Sequence, residues 1–402
     1  MDTIQIQKDF TFQTVCISPF IFAFSCTTDT IKPFNDTASH GEIEEISYPE
    51  LVDLNLEIES LLPELGVPGL QASIVKDGMV QWSKGYGYSD YPARIAVEIE
   101  HSFMLASISK TVTAVALMQL YDQGAFTLDE DVSPHLPFSV VHPTSNTPIT
   151  FRQLLTHTSA IQDNWTVMRL SYSEGDSTTP LSEFLYDYLH PSGQFYSEES
   201  NFYEWEPNEV YSYSNIGIAL AGYLVESISG MDFSDWCTQH IFIPLQMQNT
   251  GWHLADLDIQ QVAFPHEQQG DDFKVIPHYG YPDYPNGQLR SSAADMGVFL
   301  SMFASGGQYQ GIHILEESTV EEMLRIQHED AQVGLVWMQE ELNGDIFMGH
   351  GGSDDGVRTK MYFRVEDGLG FVILMNAQID SYAALDTLQI RLIDAATNLS
   401  SQ

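Results

Sequence analysis

Apolar and polar positions change their period four times along this chain, and the changes predict its elements. From residue 50, ELVDLNLEIESLLPELG places apolar residues three and four apart, the spacing of an amphipathic helix. The next stretch, GLQASIVKDGMVQWSKGYGYSD, alternates apolar and polar residues on both sides of Lys76-Asp77-Gly78, which reads as two strands joined by a hairpin turn. A long middle follows in which helical spacing and loop composition dominate. Alternation returns in DIFMGHGG and in RTKMYFRVEDGLGFVILMNA, the latter broken by an Asp-Gly turn. The last periodic segment, SYAALDTLQIRLIDAATN, is again an amphipathic helix. Strands near both ends, terminal helices and a helical middle predict an α+β fold. Its antiparallel β-sheet, flanked by the N- and C-terminal helices, is drawn from 50–100 and 335–398, with a mainly helical region at 101–334 inserted.

The stretch before residue 50 has no such periodicity. Residues 10–26, FTFQTVCISPFIFAFSC, form one short apolar segment after Lys8, too short to span a bilayer comfortably and suited to the core of a signal peptide at 1–26. Its end, AFSC followed by TTDT, resembles the lipobox of a bacterial lipoprotein, with Cys26 as the lipidated residue. Residues 27–49 are polar and unpatterned, a tether to a folded domain at 50–398. The expectation is an exported protein, periplasmic or secreted, that meets a membrane only through a lipid on Cys26. Cleavage there would leave Cys26 and Cys237, too few for an internal disulfide framework, and Cys237 reads as a buried helix residue.

Charge narrows the function classes. Fifteen Lys and Arg against 56 Asp and Glu give a formal charge of −41, a field that repels nucleic acid and anionic membrane surfaces. No calcium-loop pattern accompanies the acidity, so neither metal nor cofactor is expected, and the acidity reads as solvation in a salty or extracellular milieu.

Two serines precede a lysine by three: Ser73 before Lys76, and Ser107 before Lys110. In a strand, residues three apart point to opposite faces, so Ser73 and Lys76 are separated. The run after Ser107 carries Val112, Val115, Ala116 and Leu120 and stops at Gly124, a helical pattern in which positions three apart share a face. A serine hydroxyl is a weak nucleophile until a base takes its proton, and a lysine desolvated on an apolar helix can be that base.

The segment FMLASISKTVTAVALMQLYDQG resembles the nucleophile helix of the serine β-lactamase and penicillin-binding protein superfamily, in its class C-like branch of serine hydrolases. ITFRQLLTHTSAI, EPNEVYSYSNIGIALAGYLVESISG, IFIPLQMQNTGW, PNGQLRSSAADMGVFLSMFASGG and GHGGSDDGVRTKMYF follow in the order of that branch, over residues 50–395. The resemblance implies Ser107 as nucleophile and Lys110 with Tyr213 as the acid/base pair, Lys110 favouring the phenolate form of Tyr213. It also implies Asn215 and His350 as substrate-positioning residues, an open strand edge at Gly351 and Gly352, and an oxyanion hole from the N–H groups of Ser107 and Ser353. The chain departs from many relatives in having His350-Gly351-Gly352 where they carry Lys-Thr/Ser-Gly, which weakens the anchoring of a substrate carboxylate. Arg358 could compensate or form a surface ion pair. The aromatic-rich 162–206 segment could roof a cleft or form a satellite core. The function implied is a serine hydrolase acting through an acyl-enzyme on a small-molecule or peptide ester or amide. The alternatives are a β-lactamase or D-alanyl-D-alanine carboxypeptidase, and a penicillin-recognising module that does not turn over. A module that only binds needs no complete set of Ser107, Lys110 and Tyr213.

Overall fold

The computed structural model describes residues 49–270 and 272–399. The expected signal segment 1–26, its Cys16 and Cys26, and nearly all of the tether lie outside the described residues. Seven antiparallel strands form the main sheet, in the spatial order Met338–Leu342, Asp345–Asp354, Val357–Arg364, Gly370–Met375, Gly69–Lys76, Met79–Asp90 and Ile95–Ala96. The strand entering near the N-terminus thus pairs with the last one, Leu70 opposite Met375 and Ile74 opposite Phe371. The hairpin turns where expected, because Asp77 and Gly78 both take positive φ (53° and 70°), the twist that joins right-handed strands in a two-residue loop.

Alternation sends the two faces of the sheet to different cores. Leu70, Ala72, Ile74, Phe371, Ile373 and Met375 pack under the helices Pro49–Leu65 and Tyr382–Asn398. On the opposite face Val75, Val372 and Leu374 join the larger core of the helical region. There the helix Ala293–Ala304 lies against the sheet, and Gly297 permits close approach: a Cβ on it would sit 2.9 Å from Val80 and 3.6 Å from Ser73. Cys237 ends the helix Phe233–Cys237 and is buried with a free thiol.

The helix after Ser107 departs from the expected one-sided pattern. Ser109–Asp122 is buried all round from Ser109 to Leu120, packed among the helix Asn215–Ser229, the turn Tyr284–Asn286 and the helix Phe233–Cys237. A helix enclosed on every side needs no polar face, which is why its threonines look inward and bond to backbone: Thr113 Oγ1 donates to the carbonyl of Pro285 at 2.6 Å. The helix Asn215–Ser229 is cut sharply at both ends. The Ser214 hydroxyl accepts from the Gly217 N–H, and Gly230 closes it at φ 71°.

Candidate active site

Ser107 stands one step outside the helix. It belongs to a tight 3₁₀ turn, Ala106–Ile108, and the helix proper begins at Ser109. Ala106 holds φ at 50°, a left-handed conformation that a non-glycine residue keeps only where its surroundings enforce it. Those surroundings are visible. The Leu105 N–H donates to Leu289 at 2.8 Å, the Leu105 carbonyl accepts from Thr359 Oγ1 at 2.7 Å, and Gly352 lies directly against the turn.

Lys110 is fully buried, and its Nζ meets three oxygens: Asn286 O at 2.6 Å, Asn215 Oδ1 at 2.7 Å and Ser107 Oγ at 3.0 Å. Two of these, a backbone carbonyl and an amide oxygen, can only accept. The serine hydroxyl alone can exchange roles. When Lys110 is neutral it keeps two N–H donors for Asn286 and Asn215, and its lone pair is left facing Ser107. Burial favours that neutral form and lowers the Lys110 pKa from 10.5 to about 7, against the opposing pull of Asp163, Asp283 and Asp354.

Tyr213 stands just before Ser214, the cap of the Asn215–Ser229 helix, with its side chain beside Ser107 on the cavity wall. The Lys110 Nζ lies over its ring, 5.0 Å from the centroid. The expected phenolate is not what this environment favours. Burial raises the Tyr213 pKa far above that of an ordinary phenol, which favours the protonated group. Two histidines flank the ring, His157 stacked at 4.3 Å and His350 at 6.1 Å. Burial, then the nearby Lys110, holds both imidazoles neutral, with His350 lowered to about 3.

His350 is the residue expected to position substrate. It is buried beside Tyr213, with Nδ1 2.6 Å from Gly351 O, and is absent from the cavity wall. The glycines need a similar correction. Strand Met338–Leu342 covers its neighbour only as far as Gly349, so 350–354 do form an open edge, and Ser353 lines the cavity there. The missing side chain of Gly352, however, makes room for protein: a Cβ would lie 2.2 Å from Thr359 Oγ1 and 2.3 Å from Leu105 O. Gly351 has ordinary clearance, 3.6 Å to Lys360. Gly352→Ala should consequently displace the Ser107 turn, destabilising the domain by about 1–3 kcal/mol and lowering kcat, while Gly351→Ala keeps the parent's melting temperature. Thermal melts and ester hydrolysis on the two variants check this.

Asn215 is fixed from behind. Its Oδ1 serves Lys110, and its Nδ2 donates to Asp163 Oδ2 at 2.8 Å. Asp163 also receives the backbone N–H groups of Asn215 and Ile216, at the N-terminus of the helix where a carboxylate is favoured. Arg358 does not line the cavity and has no ion-pair partner among the described residues: its guanidinium lies over the Tyr382 ring at 5.3 Å. The cation at the cavity wall is Arg169, paired with Asp355 at 2.6 Å.

All of this opens on a cavity of about 550 Å³ lined by Ser107, Tyr213, Asn215 and Ser353. The aromatic-rich segment divides between the two roles weighed for it. Trp165, Tyr172 and Tyr203 wall the cavity, whereas Phe202 is core and Phe195 and Tyr196 pack against it. The sequence reading missed Asp163, Asp283, Asn286, Asp354, Arg169 and His157. Each sits in a loop or at an element end, where no spacing marks it. Three of them lay within quoted stretches: His157 in LLTHTSAI, Asn286 in PNGQLRSS and Asp354 in GHGGSDDG.

A family model described as Beta-lactamase matches residues 49–395. Among curated proteins, the chain is similar to Protein flp of Staphylococcus aureus (strain MW2), 29% identical over 242 residues that cover 60% of this chain and 46% of that protein. The chain thus aligns with about half the length of that relative. Among solved structures, it is similar to the D-amino acid amidase of Ochrobactrum anthropi SV3 complexed with D-phenylalanine, with a TM-score of 0.69 and 22% identity over 86% of this chain and 99% of that one. A class C beta lactamase from Rhodobacter sphaeroides follows at TM-score 0.64 and 20% identity, covering 85% and 98%. Likeness at these identities establishes the shared α+β fold with its central antiparallel sheet.

Proposed function

The chain belongs to the Beta-lactamase family, and we propose that it is a serine hydrolase that cleaves ester or amide bonds through an acyl-enzyme on Ser107. The observation that carries this reading is the contact set of Lys110, a buried amine whose one role-exchanging partner is Ser107 Oγ. Neutral Lys110 takes the Ser107 proton as Oγ attacks the carbonyl carbon. The N–H groups of Ser107 and Ser353, two residues on one cavity wall, hold the charge that develops on the carbonyl oxygen. Tyr213 gives its proton to the leaving group and recovers one from the Lys110 ammonium; neutral Lys110 then takes a proton from the water that attacks the acyl carbon and returns it to Ser107 Oγ as the ester bond breaks. Substrates without a carboxylate are favoured: position 350 carries a neutral imidazole, and Asp163, Asp283, Asp354 and Asp355 line the cavity. The β-lactamase or carboxypeptidase alternative predicts rapid turnover of a chromogenic cephalosporin.

A fluorophosphonate probe should label Ser107 and no other residue, as read by mapping the modified peptide. The labelling rate should rise with pH through about 7 and level off above it, because proton loss from Lys110 creates the base. Labelling that maps elsewhere, or a rate that falls over this range, rejects the assignment.

A further inference from the structure

The part of the cavity wall made by Asp283, Asp354, Tyr172 and Tyr281 has no task in the reaction just described. Asp283 is 1% exposed. Its Oδ2 accepts from Asn286 Nδ2 at 2.8 Å, but its Oδ1 is buried with no hydrogen-bond partner, although the residue lines the cavity. A buried carboxylate oxygen with no donor is unfavourable, and a donor arriving from the cavity would relieve it. Asp354 stands across the same space. Its Oδ1 receives the Asp355 N–H at 2.8 Å, and its only side-chain donors are two long phenol contacts, Tyr281 at 3.3 Å and Tyr172 at 3.4 Å. Neither carboxylate has an ion-pair partner among the described residues: Arg169 is matched to Asp355, and Lys110 is committed to its three oxygens. The rings of Tyr172 and Tyr281 lie 4.8 Å apart on the same cavity wall, and the Tyr172 ring already carries one cation, the Arg169 guanidinium at 5.0 Å from its centroid.

Resting on the serine-hydrolase reading of this cavity, we propose that its substrate carries a protonated amine, held by Asp283 and Asp354 against Tyr172 and Tyr281. An ammonium supplies several N–H donors at one point, one for the orphaned Asp283 oxygen and others for Asp354, and its charge is attracted by aromatic faces. Burial raises the Asp283 pKa to about 7 and raises that of Asp354 as well, so an ammonium favours their charged forms, which a neutral donor does not, and an anion would be repelled.

The test uses benzylammonium and its neutral counterpart benzyl alcohol. Both are titrated calorimetrically into the Ser107→Ala protein and assayed as competitive inhibitors of p-nitrophenyl acetate hydrolysis in the parent. Benzylammonium should bind at least about tenfold more tightly than the alcohol, and should keep most of that margin in about 0.5 M sodium chloride, where long-range attraction is screened. The margin should collapse in Asp283→Asn and shrink in Asp354→Asn; the second variant stands alone if the first does not fold. Equal affinity for the two compounds overturns the proposal. So does a margin that survives both substitutions, since it would then come from the field of the whole chain. Amine binding in a parent that hydrolyses nothing sinks only the serine-hydrolase reading.

Discussion

Ser107→Ala should abolish hydrolysis of p-nitrophenyl esters, lowering kcat by about 10⁴-fold or more, whereas Ser73→Ala should leave it nearly intact. Both serines precede a lysine by three, so sequence spacing alone gives them equal standing. The structure separates them by what each lysine reaches. Ser73 lies in a central strand with its Oγ donating to Ser83 Oγ at 2.8 Å, on the side of the helix Ala293–Ala304. Lys76 leaves the strand the other way and donates to backbone carbonyls at the end of the C-terminal helix, Thr397 O at 3.3 Å and Leu399 O. No base faces Ser73, and losing its hydroxyl removes one neutral hydrogen bond, about 1 kcal/mol of stability. At Ser107 the 3₁₀ turn and the first helical turn stack serine over lysine at 3.0 Å. Steady-state rates of the two variants, each with a melting curve, decide the matter. Equal losses in both would remove Ser107 as nucleophile.

The same pair shows what a sequence discloses and where it stops. The faces of Ser73 and Ser107 followed from period alone, because strand and helix geometry fix side-chain direction without long-range information. The hairpin at Asp77-Gly78 and the helix end at Gly124 were legible for a similar reason, since each needs a positive φ that few residues accept. The acidic residues of the site were not legible. Asp163, Asp283 and Asp354 are three among 56 acidic residues, and they matter only because distant segments bring them to one cavity. The environment of Tyr213 was not legible either, because a neighbouring lysine is visible in a motif, whereas the partial burial that raises its pKa is a property of the fold. His350 was placed by strand order, but the open backbone edge at 350–354 faces the cavity and the imidazole packs beside Tyr213.

The largest effect after Ser107 is expected at Lys110. Lys110→Met keeps the length and apolar stem of the side chain and removes only the amine. It should cost at least about 10² in kcat, the scale of a lost general base, and it should remove the rise of activity through pH 7. Some stability is lost as well, because Asn215 Oδ1 and Asn286 O forfeit a donor, at about 1–3 kcal/mol for each buried acceptor left unmade. The domain should still melt cooperatively, since the apolar core around the helix is untouched. A second signature separates a chemical role from a packing one. The Lys110 pKa is lowered from 10.5 to about 7 on folding, so between these values the unfolded chain binds a proton that the folded chain does not. Stability of the parent must therefore gain with pH across that window from this group, fully by about pH 10.5, and the gain disappears as pH falls to 7. In Lys110→Met that contribution is missing, and the difference in stability between parent and variant should widen from pH 7 to 10. Denaturant melts at pH 7, 8.5 and 10, beside kcat measured on the same preparations, test both parts. A folded variant with parental kcat removes Lys110 from the chemistry, and a pH-independent stability difference shows that the amine is already charged in the folded protein.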